Sequence, residues 1–256
     1  MGCPCELRLL ADSTEVAQQT AQACSSEALR FERKYSRYLD TSVTSSINRT
    51  AGLSATPIDS ETYGLLQYAG VCSEQSNGLF DITSGVLRQV WDKNRQTLPE
   101  QKELDQITRL IGWNKVLLTE NEVFLPERGM EIDFGGVVKE YAADAISVKI
   151  KAAGISSGLV SLGGDIVAFG STPGNAPWPV GIVHPTQRDA VIATIYLQDR
   201  ALATSGGYER YFEMQGKRYS HLINPHTGWP VDSLLSVSVS ADQAIVAGSI
   251  SSIGLL

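Results

Sequence analysis

The chain has 256 residues, 43% of them hydrophobic and 19% charged, with a formal net charge of −7. This is globular composition, long enough to bury a substantial core as one large domain or two small ones. An acidic chain without Lys/Arg runs or a basic arm excludes a non-specific binder of nucleic acid or acidic membrane, so an anionic ligand would need a local device: a metal ion, backbone N–H groups, or one or two cations.

No apolar run approaches transmembrane length, and the opening MGCPCELRLL lacks the charged region and cleavage pattern of a leader. The chain as written is therefore expected to be cytoplasmic, or periplasmic or membrane-anchored if a leader was removed. Four cysteines, three histidines and no CxxC spacing speak against zinc. Four buried thiols in a reducing compartment is the favoured reading.

In chain order, CELRLLA (5–11) alternates as a strand, with Cys3 and Cys5 on one face. A helix follows over 13–35, capped by Ser13 or Thr14. Two more helices are expected over 60–76 and 83–94, joined by a turn at Asn77-Gly78, and a fourth over 101–112 ending on Gly112. NKVLLTENEVFLP (114–126) reads as a hairpin, MEIDF (130–134) as a strand, and 137–154 as a helix after a Gly-Gly turn. Short strands then crowd together: GLVSLGG, DIVAFG, PVGIVH, AVIATIYL, ALATSG, YERYFEM, RYSHLI and LLSVSVS. The last stretch, 242–256, reads as a helix, and its apolar, uncapped end at Leu256 suggests that the natural protein continues. The pattern predicts a single α+β domain over 1–256, helix-rich in its first half and strand-rich in its second.

Three glycine-rich turns recur: DFGGVVKEY (133–141), SLGGDIVAFG (161–170) and ATSGGYERY (203–211). Each could aim backbone N–H groups at a phosphate, and the first opens a helix, whose N-terminus favours an anion. No G-x-G-x-x-G or Walker pattern is present. Asp133 and Asp165 flank two of these turns and suit either a turn cap or a bond to a hydroxyl or metal. SHLINPHTGW (220–229) holds two of the three histidines. His221, at the end of a strand, is a candidate general base or phosphate ligand, or else a histidine that ties the turn together. His184, before Pro185, is assigned to structure. Among the aromatic residues, YSRYLD (35–40) at a helix end could offer a stacking face, with core packing the default.

Taken together, these segments resemble the ApbE-type FAD:protein FMN transferases. The resemblance rests on MGCPCELRL, YSRYLDTSVTSSINR, NGLFDITSGVLRQVW, EIDFGGVVKEYAAD, GLVSLGGDIVAFG, PWPVGIVHP, LLSVSVSA and above all ALATSGGYERYFEMQGKRYSHLINPHTGWPV, with its H-x-x-[DN]-P-x-T-G motif. It covers nearly the whole chain and implies a flavin-transferase fold. It further implies FAD as donor substrate, Mg2+ on the pyrophosphate, and transfer of FMN to a threonine of an acceptor flavoprotein with release of AMP. An FAD holder without metal-dependent activity, or an FAD pyrophosphatase, is the alternative.

By the same resemblance, Met1 and Tyr38 would contact the flavin, and Leu79, Phe80 and Asp81 would line the FAD site. Gly135, Tyr141, Gly163, Gly164 and Ile223 fall on further cofactor-contacting positions, and Val138 on one that gives a backbone carbonyl to the metal. His221 matches the motif histidine and would be catalytic; His226, at a position commonly Arg or Lys, would be incidental. The chain departs from the family at its last motif, an Asp with Thr four residues later. Here Gly248 takes the Asp position and Ser252 the Thr position, which leaves Ser252 as a metal ligand without its carboxylate partner. Asp242 lies nearby, but Val246 stands four residues after it. Glu140, standing where the family has glycine, is a candidate for the missing charge.

Overall fold

The computed structural model describes residues 2–92, 95, 97–208 and 211–256; Met1 lies outside the described residues. Along the chain run β1 (Cys5–Leu10), α1 (Thr14–Tyr35), α2 (Val43–Arg49), β2 (Thr56–Pro57), α3 (Ser60–Gln75) and α4 (Gln101–Thr108). Then come β3 (Leu117–Leu118), β4 (Glu122–Phe124), α5 (Val138–Ala152), β5 (Ser157–Leu162), β6 (Asp165–Phe169) and β7 (Trp178–His184). The last elements are β8 (Gln187–Leu197), β9 (Arg200–Gly206), β10 (Tyr211–Met214), β11 (Lys217–Ser220), β12 (Ser236–Ala241) and α6 (Ala244–Leu255). Among the described residues no helix is long and apolar enough to cross a membrane.

The chain divides into two compact units, each assembled from three separate segments. The first comprises Met1–Arg33, Val137–Ser205 and Ser236–Ser252. Its main sheet has the order β1-β5-β6-β9-β12, with β1/β5, β5/β6 and β6/β9 antiparallel. α5 packs on β5 and β6. That cover explains why β5 is buried almost continuously instead of alternating. Leu159, Ala168, Trp178, Val180, Leu197 and Leu202 form a core that extends to the β7/β8 hairpin. Between β5 and β6 the loop is just Gly163-Gly164, with φ of +61° and +90°. A two-residue hairpin in which both central residues have positive φ is the I′ geometry, which glycine adopts without strain.

The second unit comprises Lys34–Gly136, Gly206–Leu235 and Ile253–Leu256. It holds α2, α3, α4, a small β2-β4-β3 sheet and the β10/β11 hairpin. Its core gathers Leu87, Val90, Leu104 and Met214 around Trp91. The rings of Phe212, Tyr219 and Trp229 lie 6.1, 5.7 and 5.5 Å from the Trp91 ring.

Several expectations need correction. MEIDF is not a strand: the side chain of Asn48 takes the place of a neighbouring strand, accepting from Ile132 N at 2.8 Å and donating to Ile132 O at 3.0 Å. The helix expected over 83–94 is a 3₁₀ helix, Ile82–Gln89, in which a Cβ on Gly85 would stand 3.0 Å from Asp133 Cβ; Lys93 and Asn94 lie outside the described residues. α4 ends at Thr108, four residues before Gly112, in turn-type bonds from Leu110 N and Ile111 N. RYSHLI leaves the sheet after Ser220, and Ile223 makes only an isolated bridge to Pro230. Cys24 and Cys72 are buried, but Cys3 is half-buried and Cys5 exposed, because β1 is an edge strand. The helical reading of 242–256 and the Ser13 cap hold, the latter through Val16 N at 3.2 Å.

Candidate functional site

In the first unit a polar cluster forms where α5, α6 and the sheet meet. Lys139 pairs with Asp165 and stands 3.3 Å from Glu140 Oε1. Asp165, 2% exposed, also accepts from Thr204 N at 3.3 Å. Thr204 and Ser238 share a hydroxyl bond at 2.8 Å, and Ser205 reaches Ser251 at 2.8 Å and Ser252 at 3.0 Å. Burial raises the Glu140 carboxyl above the usual range; Lys139 opposes the shift, and the like charge of Asp165 adds to it. Burial works to lower the Lys139 ammonium, yet Glu140 and Asp165 together hold it raised.

One side chain joins α5 to the start of α6 in this cluster. Asp144 of α5 accepts from Ala244 N and Ile245 N at 2.8 and 3.0 Å, closing the N-terminus of α6. Burial raises the Asp144 carboxyl in spite of those two N–H groups. The Gly163-Gly164 loop lies beside Lys139: a Cβ on Gly163 would come 3.5 Å from Lys139 Cδ, whereas one on Gly164 would meet nothing within 4 Å. The main chain at Gly164 is thus open to a ligand. Val138 starts α5 and is buried. Tyr141, one turn on, packs edge-on against Phe31 at 5.4 Å.

In the second unit, Arg37 pairs with Asp133 and donates to Tyr38 Oη at 3.0 Å, with its guanidinium 5.1 Å from the Tyr38 ring. Tyr38 is 77% exposed, a large aromatic face left to solvent. Asp133 Oδ1 accepts from Gly135 N at 2.9 Å, which shapes the first glycine turn. Phe80 is buried against Gly136, where a Cβ would stand 3.3 Å from its ring, and Leu79 is half-buried beside it. Asp81 is occupied internally: Oδ1 accepts from Thr83 N and Oγ1 at 2.8 and 2.6 Å, and Oδ2 from Trp113 N at 2.8 Å.

The SHLINPHTGW turn is organised by Asn224, whose side chain accepts from His226 N at 2.9 Å. Its main chain pairs with Trp229 and Gly228. Trp91 Nε1 donates to Gly228 O at 2.7 Å. Gly228, with φ of +70°, packs against Leu104 and leaves little room for a Cβ. His226 Nε2 lies 3.1 Å from Asn77 O, tying the turn to the end of α3. His221 directly follows β11 and is exposed, while Ile223 packs on the Trp91 core.

In the first unit Val138 and Gly163 thus adjoin Lys139 and Ser252 adjoins Ser205; in the second Gly135 bonds to Asp133 and Phe80 packs on Gly136. Sequence reasoning missed Arg37, Asp144, Ser205 and Ser251. Arg37, a cation between two tyrosines at a helix end, was the most readable of them. Among the described residues no three His, Cys, Asp or Glu side chains converge to hold a metal by themselves. A divalent ion carried by a phosphate ligand needs less, one or two carboxylates with hydroxyl and water oxygens. In the first unit Glu140 fits the carboxylate part of such a set: among the described residues no donor reaches its Oε2.

The chain belongs to the ApbE family, whose model matches residues 1–255. It is 28% identical over 253 residues to an FAD:protein FMN transferase of Klebsiella pneumoniae, covering 96% of this chain and 76% of the relative. It is 31% identical over 232 residues to one of Treponema pallidum, covering 82% of this chain and 64% of that protein. The crystal structure of the ApbE protein from Thermotoga maritima superposes with a TM-score of 0.89 at 31% identity, covering 97% of this chain and 82% of that one. The mixed helix-and-sheet fold and the family expected from the motifs are those found.

Proposed function

We propose that this chain binds FAD and transfers its FMN moiety to a threonine hydroxyl of an acceptor flavoprotein, releasing AMP. The observation that carries this reading is the family match over residues 1–255, within which the relatives cited are named FAD:protein FMN transferase. Residues 1–256 act as one flavin-transferase domain in this reading. FAD is the donor substrate. The threonine oxygen attacks the FMN phosphorus, the bond from that phosphorus to the bridging oxygen breaks, and AMP leaves with the electron pair.

His221 takes the threonine proton. Its support is position: it is exposed, at the end of β11, on a turn whose backbone Asn224 and Trp91 hold. Such a base contributes ~10²–10⁴-fold. Tyr38, Leu79, Phe80, Asp81, Gly135, Tyr141, Gly163, Gly164 and Ile223 contact the donor. Mg2+, when bound, neutralises charge on the pyrophosphate; the Val138 carbonyl and Ser252 hydroxyl would hold it.

Incubation with FAD, Mg2+ and a threonine-containing acceptor domain, read by intact mass and nucleotide chromatography, tests the reading. The acceptor should gain one FMN as AMP appears, and His221→Ala should slow both by ~10²–10⁴-fold with FAD still bound. FAD left intact overturns the proposal. FMN and AMP released beside an unmodified acceptor would make water the acceptor.

A further inference from the structure

A buried carboxylate is costly unless donors or cations match its oxygens. Glu140 is 6% exposed, and only Oε1 is matched, by Lys139 Nζ at 3.3 Å. No donor among the described residues reaches Oε2. Lys139 also serves Asp165, so one ammonium faces two acids.

Gly248 is what gives Glu140 its space. A Cβ at 248 would stand 2.5 Å from Glu140 Cγ and 3.0 Å from Cδ. The Asp144 clamp on Ala244 and Ile245 fixes this pairing, because one turn back along α5 is Glu140 and one turn on along α6 is Gly248. A further turn along the same face of α6 brings Ser252, 3.0 Å from Ser205, adding neutral oxygens.

We propose that Glu140 is the carboxylate ligand of the divalent cation in this chain, reaching from α5 into the volume that a side chain at position 248 of α6 would otherwise fill. The inference rests on the FAD-transfer reading for the role of that cation, but metal binding alone judges it. A hard ion takes carboxylate, carbonyl, hydroxyl and water oxygens, and Glu140 Oε2 would join the Val138 carbonyl and the Ser252 hydroxyl as the protein's share.

The test is a titration of the 256-residue chain with Mn2+, following free Mn2+ by electron paramagnetic resonance, without and with FAD. FAD binding is followed separately by flavin fluorescence. The wild type should bind Mn2+, and Glu140→Gln, equal in size but neutral, should weaken binding about tenfold or more. Gly248→Ala should weaken it as well, by pushing the Glu140 side chain aside, and it decides the matter if circular dichroism shows that Glu140→Gln does not fold. Unchanged Mn2+ affinity in the folded Glu140→Gln variant, or no Mn2+ bound by the wild type, overturns the proposal. If Mn2+ binds through Glu140 while FAD does not bind, the transferase reading falls and the ligand assignment stands. FMN transfer with Mn2+ affinity indifferent to Glu140 gives the reverse.

Discussion

The two histidines of SHLINPHTGW have different parts in the proposed reading. His226 spends its Nε2 on Asn77 O, so its ring secures the turn. His226→Ala should therefore lower the unfolding free energy by about 0.5–1.5 kcal/mol, read by urea titration, and leave the rate of FMN transfer within about twofold of wild type under saturating FAD. A rate loss as large as that of His221→Ala would show the two to be chemically equivalent and the division wrong. The sequence singles out His221 as the candidate base through its motif. The use made of His226 was not readable, because Asn77 lies 149 residues away. The same distance problem hid Asn48, whose amide serves both main-chain groups of Ile132 and turned an expected strand into an irregular segment.

At the scale of elements, caps and clamps matter more than helix propensity. Asp144 takes two N–H groups at the start of α6, a helix with no acidic residue of its own in the first turn. Asp144→Ala should cost about 0.5–2 kcal/mol, measured as a fall in thermal midpoint, whereas Asp144→Asn, still an acceptor, should keep most of the stability. Equal losses in both variants would show that the charge, not the hydrogen bonding, is what α6 requires. At α3, Asp59 accepts from Thr62 N at 3.0 Å and pairs with Lys34 Nζ at 2.5 Å. Burial acts to raise the Asp59 carboxyl, but the bonds from Lys34 and Thr62 outweigh it and hold it at about 2, below the ordinary 3.8. A carboxyl lowered on folding stabilises fully above about pH 4, and that contribution is lost as the pH falls through 2. Lys34→Met should therefore flatten the thermal midpoint between pH 4 and pH 2 relative to wild type. The effect will be small, since the Asp59 side chain is more than half exposed; identical profiles would remove Lys34 as the cause. The Gly163-Gly164 hairpin was legible because two adjacent glycines between apolar runs have one economical conformation. The Glu140–Gly248 contact was not, because helices α5 and α6 are far apart in sequence and the Asp144 clamp that joins them has no local signature.

For the whole molecule, neither compact unit is a continuous piece of chain. Residues 1–256 should therefore unfold as one cooperative domain, not as two. Cys24 and Cys72 report on this, one buried thiol in each unit. In guanidinium they should become reactive toward a thiol reagent at the same midpoint. Midpoints that separate would mean two independently stable domains. The mixed helix-and-sheet class could be read from the run of periodic segments, but the interleaving of three segments per unit could not, since local pattern says nothing of which distant strand completes a sheet. That interleaving has a consequence for biosynthesis. β1, which precedes every other element described, finds its partner in β5, where Leu10 pairs with Ser157 and Cys5 with Leu162. At about 5–20 residues per second, β1 is made on the order of ten to thirty seconds before that partner. For that interval β1 is an unpaired strand, the kind of segment that can template aggregation.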